Sequence, residues 1–360
     1  MNVGLAHDYL LVMRGAERTF AAIADEWPGA TIHTTIYDEE GTLGRFAGRD
    51  VRTSPLQRLG VRQGGFRTLL PLFPWAIGRL DAREHDVIVS SSSAWAQGVH
   101  QREDAVHVCY CYTPFRYAWH ERGTALAGVP LAVRPGLAGL LSAVRAWDVR
   151  SHRQVTHHIA ISELTRTRIA EAYGVDSTII HPPVEIDRFS LGDPEDFVLV
   201  VGELIAHKRV HVALEAARRA GLPAKVVGDG PERERWQARF PGAQFLGRVD
   251  DTALARLYSQ ARVLVMPNVE EFGITAVEAQ AAGRPVVANA AGGALETVID
   301  GETGVLVSDA GVDSLAEVLR ETDFGSFSPA ACRANAERFS VGEFRRRIRE
   351  EVSRIAGRSP

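Results

Sequence analysis

Cysteine is scarce in this chain of 360 residues: there are three, two of them in the run Cys109-Tyr110-Cys111. That number builds no disulfide framework. Cys109 and Cys111 sit in an apolar, strand-like run, so reduced, buried thiols are expected here. Charge of one sign is also lacking. The net charge of −4 points neither to nucleic acid nor to an acidic membrane as a partner. The first residues lack the basic, apolar and small-residue organisation of a signal peptide, and no apolar run approaches membrane-spanning length. A cytoplasmic protein is expected. The sequence has no H-E-x-x-H, paired-cysteine or acidic metal cluster, no G-x-S-x-G elbow and no Walker loop. No metal and no cofactor are expected.

What is present is alternation. Short β-branched runs take turns with helical stretches, which argues βαβ units and parallel sheets. The expected strands of the first half are Asn2 to Ala6, Thr31 to Tyr37, Asp86 to Ser90, Ala105 to Tyr112, His157 to Ile161 and Ser177 to His181. A second series runs through Phe197 to Gly202, Lys225 to Gly228, Gln244 to Leu246, Val263 to Met266, Pro285 to Asn289 and Val305 to Val307. Right-handed crossovers give a doubly wound sheet in each half. The paired prolines of His181-Pro182-Pro183-Val184 stiffen a connector between them. Three segments result: an N-terminal Rossmann-like domain over 1–190, a second over 191–337, and a charged amphipathic helix within 338–360 that could return to the first. That helix carries Phe344, Ile348, Val352 and Ile355 on one stripe.

The most informative run is Glu270-Glu271-Phe272-Gly273-Ile274-Thr275-Ala276-Val277-Glu278. It follows an apolar strand and opens an Ala-rich helix that ends at Gly283. In an open α/β sheet this junction lies at the carboxyl ends of the strands, where ligands bind. The first amides of the helix, from Gly273, Ile274 and Thr275, form an anion seat. Glu270 stays in the loop and Glu278 lies one turn into the helix, so two acceptors flank the seat. A ligand with phosphate in its middle and hydroxyls at both ends fits, and a nucleotide-sugar is such a ligand. Acids near a helix start are also common for the dipole alone.

Other segments could join this site. His207-Lys208-Arg209 follows the strand end at Gly202, and Lys208 could hold a diphosphate as a mobile point charge; a solvated basic turn explains it equally. Gly228, in Val226-Val227-Gly228-Asp229-Gly230, lets a flat ligand approach the backbone. Gly247 and Val249 could floor a base, or form an ordinary turn. Gly15 opens a helix after the first strand, where a phosphate or sugar could rest, or serves the helix start alone. Around Arg116 stands the aromatic run Tyr110 to Trp119, which packs either against sugar rings or into the core. Arg58, Arg62 and Arg67 could form a basic face toward a membrane or a phosphorylated acceptor; a solvated surface reads as well.

These segments, in this order over nearly the whole chain, resemble glycosyltransferase family 4. The resemblance rests on the two glutamates with Phe272-Gly273-Ile274, on Ala279 to Ala288, Gly292 to Val298, Gly228 to Glu232, and Lys208-Arg209. In the first half it rests on His7-Asp8-Tyr9-Leu10, Gly15 to Arg18, Thr113 to Trp119 and Pro182-Pro183-Val184, which are similar to the O-antigen and capsule mannosyltransferase branch. It implies a GT-B fold, two Rossmann-like domains facing a cleft, and metal-independent transfer with retention. It also implies roles. Glu278 binds the ribose hydroxyls, Glu270 with the amides of Phe272 and Gly273 holds the donor sugar, and Lys208 neutralises the leaving diphosphate. Asp8, Tyr112 and Arg116 would face acceptor or sugar.

Two positions depart from the family's pattern. Glu203 stands where many members have an arginine, for which Arg209 or Arg116 could substitute. Tyr112 stands where many have a histidine, and a tyrosine cannot be a cation. GDP-mannose is the first-choice donor by the branch resemblance, with UDP-hexoses and nucleotide-heptoses open. The acceptor is a glycan, a lipid-linked intermediate or a metabolite, with contact at the inner face of a membrane left open. Rivals are a non-catalytic nucleotide-sugar-binding protein and a sugar-nucleotide epimerase.

Overall fold

The structure, a computed structural model, describes residues 2–60 and 65–357. Arg62 of the expected basic face lies outside the described residues, as do residue 1 and residues 358–360 at the ends of the outer expected segments.

The chain divides into two units. The first is Met1–His181 together with Arg345–Pro360, and the second is Pro182–Phe344. The division falls at the first proline of the connector, where a fixed φ and a missing N–H end regular pairing.

The first unit holds β1 (Val3–His7), β2 (Thr31–Thr34), β3 (Val51–Thr53), β4 (Val87–Ser92), β5 (Val106–Cys111), β6 (His157–Ala160) and β7 (Ser177–Ile179). They form one parallel sheet in the order β3-β2-β1-β4-β5-β6-β7. The second unit holds β8 (Val198–Val201), β9 (Ala224–Val227), β10 (Gln244–Gly247), β11 (Val263–Met266), β12 (Val286–Asn289) and β13 (Gly304–Val307). These are also parallel, in the order β10-β9-β8-β11-β12-β13. Both sheets are doubly wound, as expected, and each reverses direction once: between β1 and β4, and between β8 and β11.

The central strands are near-continuous apolar runs because helices cover both of their faces. Val198, Leu199, Val263 and Leu264 are at most 1% exposed. In the second unit the core joins Val200, Val226 and Val265 to Leu214, Trp236 and Leu315 of the covering helices. The edge strand β3 is half-exposed and is the one described strand without a counterpart in the expected series. Cys109, Cys111 and Cys332 are all buried and free, and burial pushes the Cys109 thiol up to about 12. Among the described residues no helix is long and apolar enough to cross a membrane.

The last helix, Val341–Ile355, buries Phe344, Ile348 and Val352. From Arg345 onward it belongs to the first unit. Arg345 pairs with Glu26 at 2.5 Å, Thr178 of β7 donates to Glu351 at 2.6 Å, and Arg347 donates to the Ile179 carbonyl at 2.7 Å.

Candidate functional site

The reversal point between β8 and β11 places two loops side by side, and the sequence's strongest candidates lie on them. After β8 the chain makes a tight turn at Ala206–Lys208 and enters the helix Val210–Ala220. After β11 it passes Asn268 and Glu270 and enters the helix Ile274–Ala281. Lys208 Nζ meets Glu270 Oε1 at 2.5 Å, with the two side chains 25% and 19% exposed. Asn268 Nδ2 donates to the same oxygen at 2.8 Å. A lysine, a carboxylate and an amide thus converge where an open α/β sheet receives ligands.

The loop is braced from below. Gly293 N–H donates to the Glu270 carbonyl at 2.9 Å, and Glu270 bridges Gly292 in parallel fashion. The fit is so close that a Cβ on Gly293 would stand 2.2–2.4 Å from backbone atoms of Phe272. Phe272 is buried and meets Phe339 edge-to-face, centroids 5.3 Å apart. Gly273, at φ +93°, takes the left-handed conformation that turns the chain into its helix. Glycine offers no side chain to cap that helix start. Glu278 follows one turn later, half-exposed, and Tyr258 donates its hydroxyl to Glu278 Oε2 at 2.8 Å.

Other expected residues are placed differently. Arg209, at φ +52°, donates through its two terminal nitrogens to the carbonyls of Pro267 and Ala310, at 3.0 Å each. It straps its own loop to the end of β11 and to the segment after β13. Gly228 does permit a close approach, but by the protein itself, since a Cβ there would lie 1.9 Å from the Gly202 carbonyl oxygen. Gly228 N–H bonds to the Gly247 carbonyl at 2.8 Å, and a Cβ on Gly247 would meet the Arg233 guanidinium at 3.1 Å. Val249 is half-exposed beyond it, as are Ile274 and Thr275.

In the first unit the expected contacts are tied up internally. Asp8, 3% exposed, accepts from Trp95 N–H at 2.9 Å, Ala96 N–H at 2.6 Å, Ser93 N–H at 2.7 Å and the Ser92 hydroxyl at 3.2 Å. It pins the loop after β4 to the end of β1. Tyr112 donates to the Ala16 carbonyl at 2.8 Å and lies 2.9 Å from the Ser91 hydroxyl. Burial pushes its phenol well up, so it acts as a fixed neutral brace. Arg116 pairs with Glu121 at 3.6 Å. Of the surrounding aromatics, Phe115 packs on Trp95, and Trp119 donates to the fully buried Asp148 at 2.7 Å. Burial raises the Asp148 carboxyl to about 6 against three donors that favour its charge. This cluster is mostly core. Gly15 opens the helix Gly15–Glu26, whose Glu17 side chain accepts from Arg14 N–H at 3.0 Å.

Two participants went unseen in the sequence, Asn268 and Tyr258, and Gly293, within the run Gly292 to Val298, was given no role of its own. Asn268 had a signal, because a residue two before Glu270 in extended chain shares its face. Tyr258 had none, since it reaches Glu278 from another helix.

Residues 13–188 match the family model described as Glycosyltransferase Family 4, and residues 184–337 match that of Glycosyl transferases group 1. Glycogen synthase of Mycobacterium tuberculosis is 31% identical over 210 residues, covering 52% of this chain and 50% of the relative. A GDP-mannose-dependent alpha-(1-6)-phosphatidylinositol monomannoside mannosyltransferase of Mycolicibacterium smegmatis is 31% identical over 197 residues, covering 44% and 50%. The chain therefore spans about half the length of these curated relatives. Among solved structures, Anabaena HepE in complex with UDP superposes with a TM-score of 0.73 at 20% identity, covering 98% of this chain and 100% of the other.

Proposed function

The chain belongs to glycosyltransferase family 4, and from that premise we propose that it moves a sugar from a nucleotide-sugar donor to an acceptor hydroxyl, with retention. The observation that carries this reading is the convergence of Lys208, Glu270 and Asn268 at the reversal point of a GT-B half, one helix turn from Glu278. Lys208 exchanges Glu270 for the diphosphate when the donor enters, and its charge then grows in value as the diphosphate departs. Glu270, released from the lysine, accepts from hydroxyls of the donor sugar. The helix amides at Gly273 to Thr275 hold phosphate oxygens, and Glu278 accepts from the ribose. These groups together supply the charge stabilisation, so no metal is required.

GDP-mannose remains the first-choice donor, supported by the motif resemblance and by the relative named for that donor. UDP-hexoses are the alternative, since the structural neighbour HepE was solved with UDP. A thermal-shift screen of GDP, UDP and their hexoses in EDTA tests the reading. The matching nucleotide should raise the melting temperature by several degrees, since ligand at ~100 times its Kd adds ~2.7 kcal/mol. If no nucleotide diphosphate shifts the transition, the site is wrong; a strict metal requirement removes the metal-free mechanism. Product formed without acceptor would identify an epimerase, and donor binding without turnover a binding protein.

For the acceptor, we place it at an anionic membrane surface. Residues 124–141 carry one charge, Arg134, yet only Leu141 among them is buried. Leu131 is 76% and Val133 52% exposed, and the exposed charges that follow are Arg145, Arg150 and Arg153. Apolar residues edged by arginine suit a headgroup layer. Vesicles containing phosphatidylglycerol should pull the protein down in flotation, and Leu131→Glu should weaken that by at least several-fold. Equal recovery with neutral vesicles would refute it.

A further inference from the structure

Glu278 is oriented by a residue of another helix. Tyr258, on the helix Asp251–Gln260, is 0% exposed and donates to Glu278 Oε2 at 2.8 Å. Burial, with the Glu278 charge beside it, holds the phenol well above its ordinary range, so it stays a donor. The ring itself is fixed. Phe189 meets it edge-to-face, centroids 5.6 Å apart. Phe189 is in turn held by Arg333, whose Nη1 donates to the carbonyls of Ile186, Phe189 and Ala281 at 2.8–2.9 Å. Arg188 pairs with Asp251 at 2.8 Å, anchoring the start of the same helix.

We infer that Tyr258 is a positioning residue: it presents the Glu278 carboxylate to the two adjacent hydroxyls of the nucleotide's ribose, and so sets the preference for ribonucleotides over sugars lacking those hydroxyls. The inference rests on the donor-site reading given above. A glutamate side chain has three rotatable bonds, and one held at a single oxygen has lost that freedom before the ligand arrives. A vicinal diol needs its acceptor in one place; a wandering carboxylate serves each hydroxyl only part of the time. The bland account is that Glu278 satisfies a buried phenol. The two accounts differ, because a merely structural hydroxyl affects all nucleotides alike.

The test is Tyr258→Phe, which keeps the ring and its contact with Phe189. Calorimetric titration compares whichever of GDP or UDP binds the wild type with its 2′,3′-dideoxy analogue. The wild type should favour the ribonucleotide, and Glu278→Ala should erase that preference. Tyr258→Phe should weaken ribonucleotide binding by about 10- to 100-fold, within the range of a hydrogen bond to a charged group, and leave the analogue unchanged. A Tyr258→Phe protein that keeps the wild-type ratio, whatever its melting temperature, overturns the inference while the donor site stands. A wild type that binds no nucleotide, or binds both forms equally, overturns the ribose role of Glu278 and this inference with it.

Discussion

Lys208→Ala should lower turnover by about 100-fold, the magnitude found when one preorganised group is removed from a developing negative charge. The lysine stands 2.5 Å from Glu270, so the substitution acts twice. It removes the cation from the departing diphosphate, and it leaves a largely buried carboxylate facing the same phosphate. Binding of the nucleotide diphosphate should weaken far less than turnover, because the helix amides and Glu278 still hold it. Lys208→Arg should recover only part of the rate, since the planar guanidinium cannot take the place of a compact ammonium. The measurement is kcat beside the calorimetric Kd for the nucleotide. A rate within about threefold of wild type would remove Lys208 from the leaving-group role.

Gly293→Ala should be nearly as damaging, without touching any proposed ligand contact. An added Cβ would overlap the Cα, carbonyl carbon and carbonyl oxygen of Phe272 at 2.2–2.4 Å, and backbone cannot rotate aside as a long side chain can. The loop would have to lift, breaking the Gly293 N–H bond to the Glu270 carbonyl. Overpacking of this kind costs about 1–3 kcal/mol or more, a fall of roughly 2–12 °C in melting temperature for a chain unit of this size. Donor affinity should fall too, because Glu270 moves with the loop. Gly242→Ala is the control: a Cβ there meets nothing within 4 Å, and both readouts should be unchanged. A Gly293→Ala protein with wild-type melting and affinity would show that the loop needs no such brace.

Much of this fold was readable because parallel sheets bury both faces of their strands. Runs such as Val198–Val201 and Val263–Met266 then have no polar alternation to confuse them. The edge strand Val51–Thr53, with Arg52 exposed between two half-exposed neighbours, offers no such run. The Lys208–Glu270 pairing was also within reach, since both residues follow strands that adjoin at the reversal point. Gly228 and Asp8 have internal partners that the sequence did not show, for one reason. A glycine shows that something comes close, and a carboxylate shows that something donates; neither shows what. At Gly228 the visitor is the Gly202 carbonyl, and at Asp8 the donors lie 84–88 residues further along the chain. Glu203, which stands where the family pattern has an arginine, is half-exposed with its carbonyl bonded to Ile205 N–H at 3.0 Å.

The last helix gives the molecule a property that neither sheet has alone. Because Val341–Ile355 begins in the second unit and finishes in the first, the polypeptide crosses between them twice. A single nick at the His181–Pro182 junction would leave two fragments still tethered through that helix. A fragment starting at Pro182 would carry away Ile348 and Val352, buried residues that belong with the first unit, while the partner fragment would be left with an uncovered seam. The first unit is thus discontinuous in sequence, and no single cut of the chain releases it whole.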